Sequence, residues 1–385
     1  MPEPTYQCCY TNTQKDVGGT ISSGWQAVEV SPEIPTKVYE ACVKRQNVNS
    51  SLCASAVDED GNVLTQYELF GDGGHLYVIR SQYGLSDRLG RPNMFSHAII
   101  FPLRGDDILL NPNYYVSLDP ASFKHEENQQ SWSGVCYRPT SLSLKMAMDY
   151  AGLDREKYAV LARCIYAQMN ATKGTDPLYI QYDGTEQQLR GIMYCIGAGI
   201  PHFMLKTIHV ASCPTANDSG KHVVFSKNAK AKGRWLVPQT GENSVLNQRL
   251  ERKINRCGYV DYAILHDQIP WFFVNLNNIA TTIAGASGVN GQTSKLAFYL
   301  LAYADESNRI DRSKFTDEEL ESDFSDALRL SQGNSFAEKL LAWTLEEINR
   351  RNIRLTAENE ALLDTWLSSA KSEDLQAAGR AYKTK

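Results

Sequence analysis

Ser81-Gln-Tyr-Gly-Leu-Ser-Asp-Arg-Leu-Gly-Arg-Pro-Asn-Met-Phe-Ser-His-Ala-Ile-Ile-Phe-Pro102 decides how the first third of the chain is read. Its first half is polar, carries Gly84, Asp87 and Gly90, and predicts a turn. Residues 96–102 form a short apolar run bounded by turn residues, the pattern of a buried strand. On that pattern His97 stands where a loop enters a core, with Tyr83, Arg91 and Asn93 on the approach as ligand-binding candidates. An imidazole there suits a general base, because its ordinary pKa lies near neutrality. Arg91 can hold a carboxylate or phosphate with its guanidinium fork, and Asp87 can orient either one. The same side chains equally suit a buried hydrogen-bond network, since no spacing fixes a triad.

Upstream, residues 6–10 predict a first strand and residues 25–30 a second, separated by a polar loop over 11–24 and ended by Pro32 and Pro35. A short helix is expected over 38–45. Residues 52–57 and 62–70 read as paired strands across Asp60-Gly61, and residues 75–80 as a further strand. Cys8 and Cys9 lie in the first strand, where neighbours face opposite ways, so one thiol at most can share a site with His97. Cys9 is the candidate nucleophile, against the commoner role of cysteine as a core residue.

Downstream of Trp132 the texture changes. Helices are expected over 142–150 and after Asp154, and strands over 177–182, 203–211 and 222–225. Thr185-Glu-Gln-Gln188 starts another helix, ended by Gly197, Gly199 and Pro201. From residue 243 the chain is mainly helical, with capping boxes at Thr316-Asp-Glu-Glu319 and Ser335-Phe-Ala-Glu338 and core positions at Trp271, Phe272, Phe273, Trp343 and Trp366. The expected fold class is α+β: a β-rich domain over 1–135, a mixed α/β domain over 136–242 and a helical domain over 243–385.

The 385 residues are 42% hydrophobic and 22% charged, which excludes global disorder. A net charge of -5 gives no general reason to bind nucleic acid. The local exception is Lys227, Lys230, Lys232, Arg234 and Trp235, where cations beside an aromatic ring suit phosphates and a stacked base, or simply a solvated loop. No run of about 18 apolar residues predicts a membrane span, and no secretory leader is visible at the start. Nine cysteines without a spacing framework fit reduced thiols in a cytoplasm. Gly285-Ala-Ser-Gly-Val-Asn-Gly-Gln-Thr293 lacks the lysine of a phosphate loop, having Gln292 in its place, and reads as an interhelical loop. No metal centre or other cofactor is expected: His209 and Cys213 are four apart, but on a segment read as extended.

Two segments carry a resemblance. Tyr10-Thr-Asn12 with Gly24-Trp-Gln-Ala-Val-Glu-Val-Ser-Pro-Glu-Ile-Pro35, and Tyr83-Gly-Leu-Ser-Asp-Arg-Leu-Gly-Arg-Pro-Asn-Met-Phe-Ser-His-Ala98, resemble the N-terminal domain of bacterial GTPase-associated proteins. Trp25 replaces the family's usual Phe, Glu33 stands near its usual Gly, and one glycine before Asn93 is absent. The run from Ile200 to Ser212 is similar to the family's middle region. The resemblance implies a cytoplasmic adaptor, scaffold or sensor that binds a partner GTPase or other NTPase in a defence system, with homo-oligomerisation open and no catalytic residues brought with it. The competing expectation, from the residues alone, is a hydrolase or small-ligand sensor with a pocket around His97.

Overall fold

The computed structural model describes residues 5–17, 20–103, 120–123, 142–246, 269–298 and 315–384, apart from short gaps within those ranges. The chain divides into two compact units, Met1–Pro270 and Trp271–Lys385.

The first unit is built on one mixed sheet. Its strands are β1 (Tyr6–Val17), β2 (Thr20–Val30), β3 (Thr65–Gly71), β4 (His75–Ser86), β5 (Pro92–Pro102), β6 (Leu178–Gln181), β7 (His209–Ala211), β8 (Val223–Ser226), β9 (Trp235–Val237) and β10 (Glu242–Asn243). Their order across the sheet is β10-β9-β6-β8-β7-β3-β4-β5-β1-β2. The half containing β1–β5 is antiparallel, while β7, β8, β6 and β9 run parallel. β3 joins the halves by pairing antiparallel with both β4 and β7. The α+β class holds, and the division expected at residues 135/136 falls inside this unit, between strands of one sheet.

Two expected loops are strands. Residues 11–17 and 20–24 extend the β1–β2 hairpin, with Thr13 opposite Gly24. Residues 81–86 belong to β4 rather than to a turn, so the connection to β5 shrinks to residues 87–91. Gly90 allows that tight reversal with φ of 74°. The helix expected over 38–45 runs further, as α1 (Thr36–Ser50). It packs Val38 and Cys42 against Cys8, Tyr77, Ile79, Ala98 and Ile100 on one sheet face. The expected pairing of residues 52–57 with 62–70 falls partly outside the described residues, and β3 takes β4 and β7 as partners instead.

Three helices accompany the parallel half: α2 (Leu144–Ala151), α3 (Arg155–Met169) and α4 (Glu186–Gly199). Ser143, Asp154 and Thr185 cap them through side-chain oxygens that accept from Met146, Lys157 and Gln188 N–H groups. The strand expected over 203–211 is corrected: a helical turn, α5 (His202–Leu205), comes first and only β7 is extended.

The second unit contains α7 (Asp317–Leu328), α8 (Ser335–Arg351), α9 (Ala357–Ser369) and α10 (Glu373–Lys383), after α6 (Ile269–Ala284) at the boundary. The Thr316–Glu319 capping box forms in full. The second expected box does not form. Glu338 is buried and accepts the backbone N–H groups of Lys371 and Ser372, tying α8 to the start of α10. Leu320, Phe324, Leu341, Leu345, Leu363 and Trp366 form the core, and Trp366 Nε1 donates to the Leu328 carbonyl at 2.9 Å. Trp343 is half-buried, whereas the side chains of Trp271, Phe272 and Phe273 lie outside the described residues. Among the described residues no helix is long and apolar enough to cross a membrane.

Candidate functional site

His97 lies inside β5, not at a loop junction. It pairs in register with Cys9 of β1 on one side and Arg80 of β4 on the other. Its Nε2 is 3.0 Å from Gln7 Oε1, and its ring meets Phe123 edge to face at 5.6 Å. A thiol beside an imidazole is in kind a nucleophile–base pair. Here both His97 and Cys9 are 0% exposed, so the pair is sealed in the sheet and presents nothing to a substrate.

Asp87 stands elsewhere, in the β4–β5 turn. Its Oδ1 accepts the N–H groups of Leu89 and Arg91, and its Oδ2 accepts Nε and Nη2 of Arg91, each at 2.7 Å. The Arg91 N–H, with the guanidinium and the Leu89 N–H, holds the Asp87 carboxyl below its ordinary range against the partial burial that raises it. The fork expected to grip a ligand thus already grips its own turn. Asn93 closes the neighbouring strands: Oδ1 accepts from Asn12 and Met94 N–H groups, and Nδ2 donates to the Asn12 carbonyl. Tyr83 is buried on the α1 face, its hydroxyl 2.8 Å from Gln66 Oε1 and 3.1 Å from the Asn49 carbonyl.

Of the six candidates in this corner, Asp87, Arg91 and Asn93 share a surface. They line an open groove of about 590 Å³ between the two hairpin ends, together with Asn12, Trp25 and Leu89. Trp25 stacks on Tyr10 at 6.1 Å, which fixes its ring. Leu89 is 73% exposed at the rim. His97, Cys9 and Tyr83 are outside this groove, buried in the sheet.

The basic cluster also divides. Lys230 pairs with Glu242 and lies over the Trp235 ring at 5.3 Å. Arg234 Nε donates to Gln168 Oε1 at 3.0 Å. Lys227 and Lys232 instead share a cavity beside the parallel strands.

A buried ionic group had no advance notice in the sequence. Glu68 of β3, with a side chain 1% exposed, accepts from Asn49 Nδ2 at 3.0 Å, contacts His209 Nε2 at 2.6 Å and lies 3.3 Å from Arg45 Nε. Burial opposes its ionisation, but the His209 hydrogen bond, the charges of His209 and Arg45, and the Asn49 hydrogen bond together hold the carboxyl below its ordinary value. His209 is therefore a link between β7 and β3 rather than a partner of Cys213. Its backbone N–H donates to His222 Nδ1 at 3.1 Å.

No protein-family model matches this chain, and no curated protein sequence matches it.

Proposed function

We propose that the chain is a non-enzymatic adaptor or sensor subunit of a bacterial GTPase-linked defence system, acting in the cytoplasm and docking a partner NTPase through the groove between its hairpin ends. The observation that carries this reading is the contrast between the two halves of the polar corner. The imidazole and thiol that chemistry needs are covered, while Leu89 and Arg91 are exposed along the groove and Trp25, half-buried against Tyr10, lines it. Tryptophan and arginine anchors on rigid backbone are what protein interfaces favour. The internal Asp87–Arg91 clamp supports the same role, because it sets the rim before a partner arrives and lowers the ordering cost of binding. The family resemblance of residues 10–35 and 83–98 supplies the partner class, and these segments frame the groove.

Purification of the tagged chain from its own cells tests this. An NTPase should accompany the wild-type protein and be lost from a Leu89→Asp/Arg91→Glu double variant of unchanged melting temperature. A partnerless chain that turns over a substrate in a His97-dependent way overturns the proposal.

A further inference from the structure

The β1–β2 and β4–β5 hairpins part company before either ends. β1 pairs with β5 only from Tyr6 to Thr11, opposite Ile100 to Phe95. It then runs on to Val17 paired with β2 alone. Residues 12–17, about 20 Å of strand, therefore keep one open edge, which borders the groove at Asn12 and Gln14.

Backbone groups alternate along an antiparallel strand between its two neighbours. The Gln7 carbonyl accepts the Ser31 N–H at 3.0 Å and the Thr13 carbonyl accepts Gln26 Nε2 at 2.9 Å, so the odd-numbered residues of β1 face β2. Asn12 faces the other way: its N–H donates to Asn93 Oδ1 and its carbonyl accepts Asn93 Nδ2, both at 3.2 Å. Gln14 and Asp16 point the same way as Asn12, and among the described residues no hydrogen bond meets their N–H and carbonyl groups. The β5 side of the gap is already closed. Asn93 Oδ1 accepts the Met94 N–H at 2.8 Å, the Met94 carbonyl accepts Thr11 Oγ1 at 2.8 Å, and Pro92 has no N–H to give. The Asn93 amide thus stands in for one residue of a neighbouring strand, and beyond it β1 is left with unmet backbone groups. Asn12 and Gln14 lie opposite Trp25 and Ser23 of β2, so these four side chains share one face, and all four line the groove.

We propose that the open edge of β1 receives an extended peptide segment of a partner protein as an added strand of the sheet. This rests on the docking reading above, in which the partner is the NTPase, and says in what form that partner presents itself. Main-chain bonds to Gln14 and Asp16 give such a segment its affinity, and its alternate side chains reach the Trp25 face. It carries no proline where it faces β1, and its residue opposite Gln14 is apolar, to lie toward Trp25 with Leu89 at the rim. Asp87 and Arg91 neutralise each other, so charge does not select it. A second copy of this chain does not fit by its long edge strand. That β2 brings its own β1 about 4.8 Å away, where the Asp87–Arg91 turn stands across the gap.

Residue-resolved amide hydrogen exchange on the full chain tests this, with random eight-residue peptides displayed on phage and selected on the wild-type chain as the probe. In the free chain the Gln14 and Asp16 amides should exchange at least about tenfold faster than those of Thr13 and Lys15. A synthetic copy of an enriched peptide, at saturation, should slow Gln14 and Asp16 by about tenfold or more. N-methylation of that peptide at alternate residues should cost at least about tenfold in affinity in one frame and little in the other, because only one set of its N–H groups faces β1. Gln14→Pro removes a single gap-facing N–H, which an edge strand tolerates, and should weaken peptide binding by about tenfold or more at unchanged melting temperature. Protected Gln14 and Asp16 amides in the free chain, no enriched peptide, or peptide binding that leaves both amides unprotected overturns the proposal. So does self-association of the chain that Gln14→Pro abolishes, which assigns the edge to a second copy. An NTPase lost from the Leu89→Asp/Arg91→Glu variant but kept by Gln14→Pro sinks the added strand and leaves the docking reading intact. Peptide protection of both amides with no NTPase in the purified wild type sinks the docking reading alone.

Discussion

Glu68 stays ionised in the interior because His209, Arg45 and Asn49 surround it, and removing its charge leaves His209 and Arg45 without their counter-charge. Glu68→Gln should therefore cost about 3 kcal/mol at pH 7, measured by denaturant unfolding. The pH dependence has a definite sign. The Glu68 carboxyl is lowered in the fold, so its contribution is complete above the ordinary carboxylate value of about 4.3 and is lost as pH falls through the lowered folded value. His222 is lowered by burial first and by the charge of His209 second, so its contribution is present above about 6.5 and is lost as pH falls from there. Unfolding free energy should thus decline first as pH falls below about 6.5 and again below about 4.3, and Glu68→Gln should shrink the lower stage, to which the lowered carboxyls of Asp72, Asp87 and Glu347 also contribute; an unchanged acid profile would refute the assignment. His97→Ala should cost about 2–3 kcal/mol, from the cavity left beside Phe123 and the unpaired Gln7. An unaltered melt would restore His97 as a functional group. At this scale the sequence places polar groups correctly near a core but does not pair them. His209 lies 141 residues from Glu68, and alternation along Gln66–Phe70 says only that a charge sits in an apolar strand.

At the scale of elements, helices are read more faithfully than hairpins. Asp154, Thr185 and Thr316 each announce a helix, because a cap is a local interaction confined to three or four residues. The outer parts of β1 and β2 were legible only as polar loop, since residues such as Thr13, Gln14 and Ser23 are not buried and leave no alternating pattern. The apolar run after Pro201 fits a strand or a helical turn equally by composition, and the chain divides it between the two. The crossing of α4 over α2 depends on Gly191. A Cβ there would fall 2.6 Å from the Ala147 carbonyl and 2.8 Å from Tyr150 Cβ. Gly191→Ala should destabilise by about 1–3 kcal/mol despite alanine's higher helix propensity, as read by thermal or chemical unfolding. A stabilised variant would show that the helices part easily at this point.

At the scale of the whole molecule, the change in texture near residue 135 marks a change from antiparallel to parallel strands within one sheet, not a domain boundary in the compact unit. Sheet continuity rests on the β3–β7 pairing of Glu68, Leu69 and Phe70 with Ala211, Val210 and His209, reinforced by the Glu68–His209 side-chain contact, and pairings this distant in the chain are invisible to any local reading. Fragments 1–135 and 136–242 expressed separately should not melt cooperatively, since each exposes an unpaired strand edge and one half of the Glu68–His209 pair. Two cooperative melts would contradict that. The resemblance that suggests a partner rests on the segments that build the hairpin ends, and the pocket expected around His97 is replaced by a sealed strand beside an open groove. The central claim is that this groove docks an NTPase. The most direct test is the equilibrium affinity of the purified chain for the NTPase captured with it, compared with that of the folded Leu89→Asp/Arg91→Glu variant. The account predicts a loss of at least about tenfold, and an unchanged affinity would contradict it.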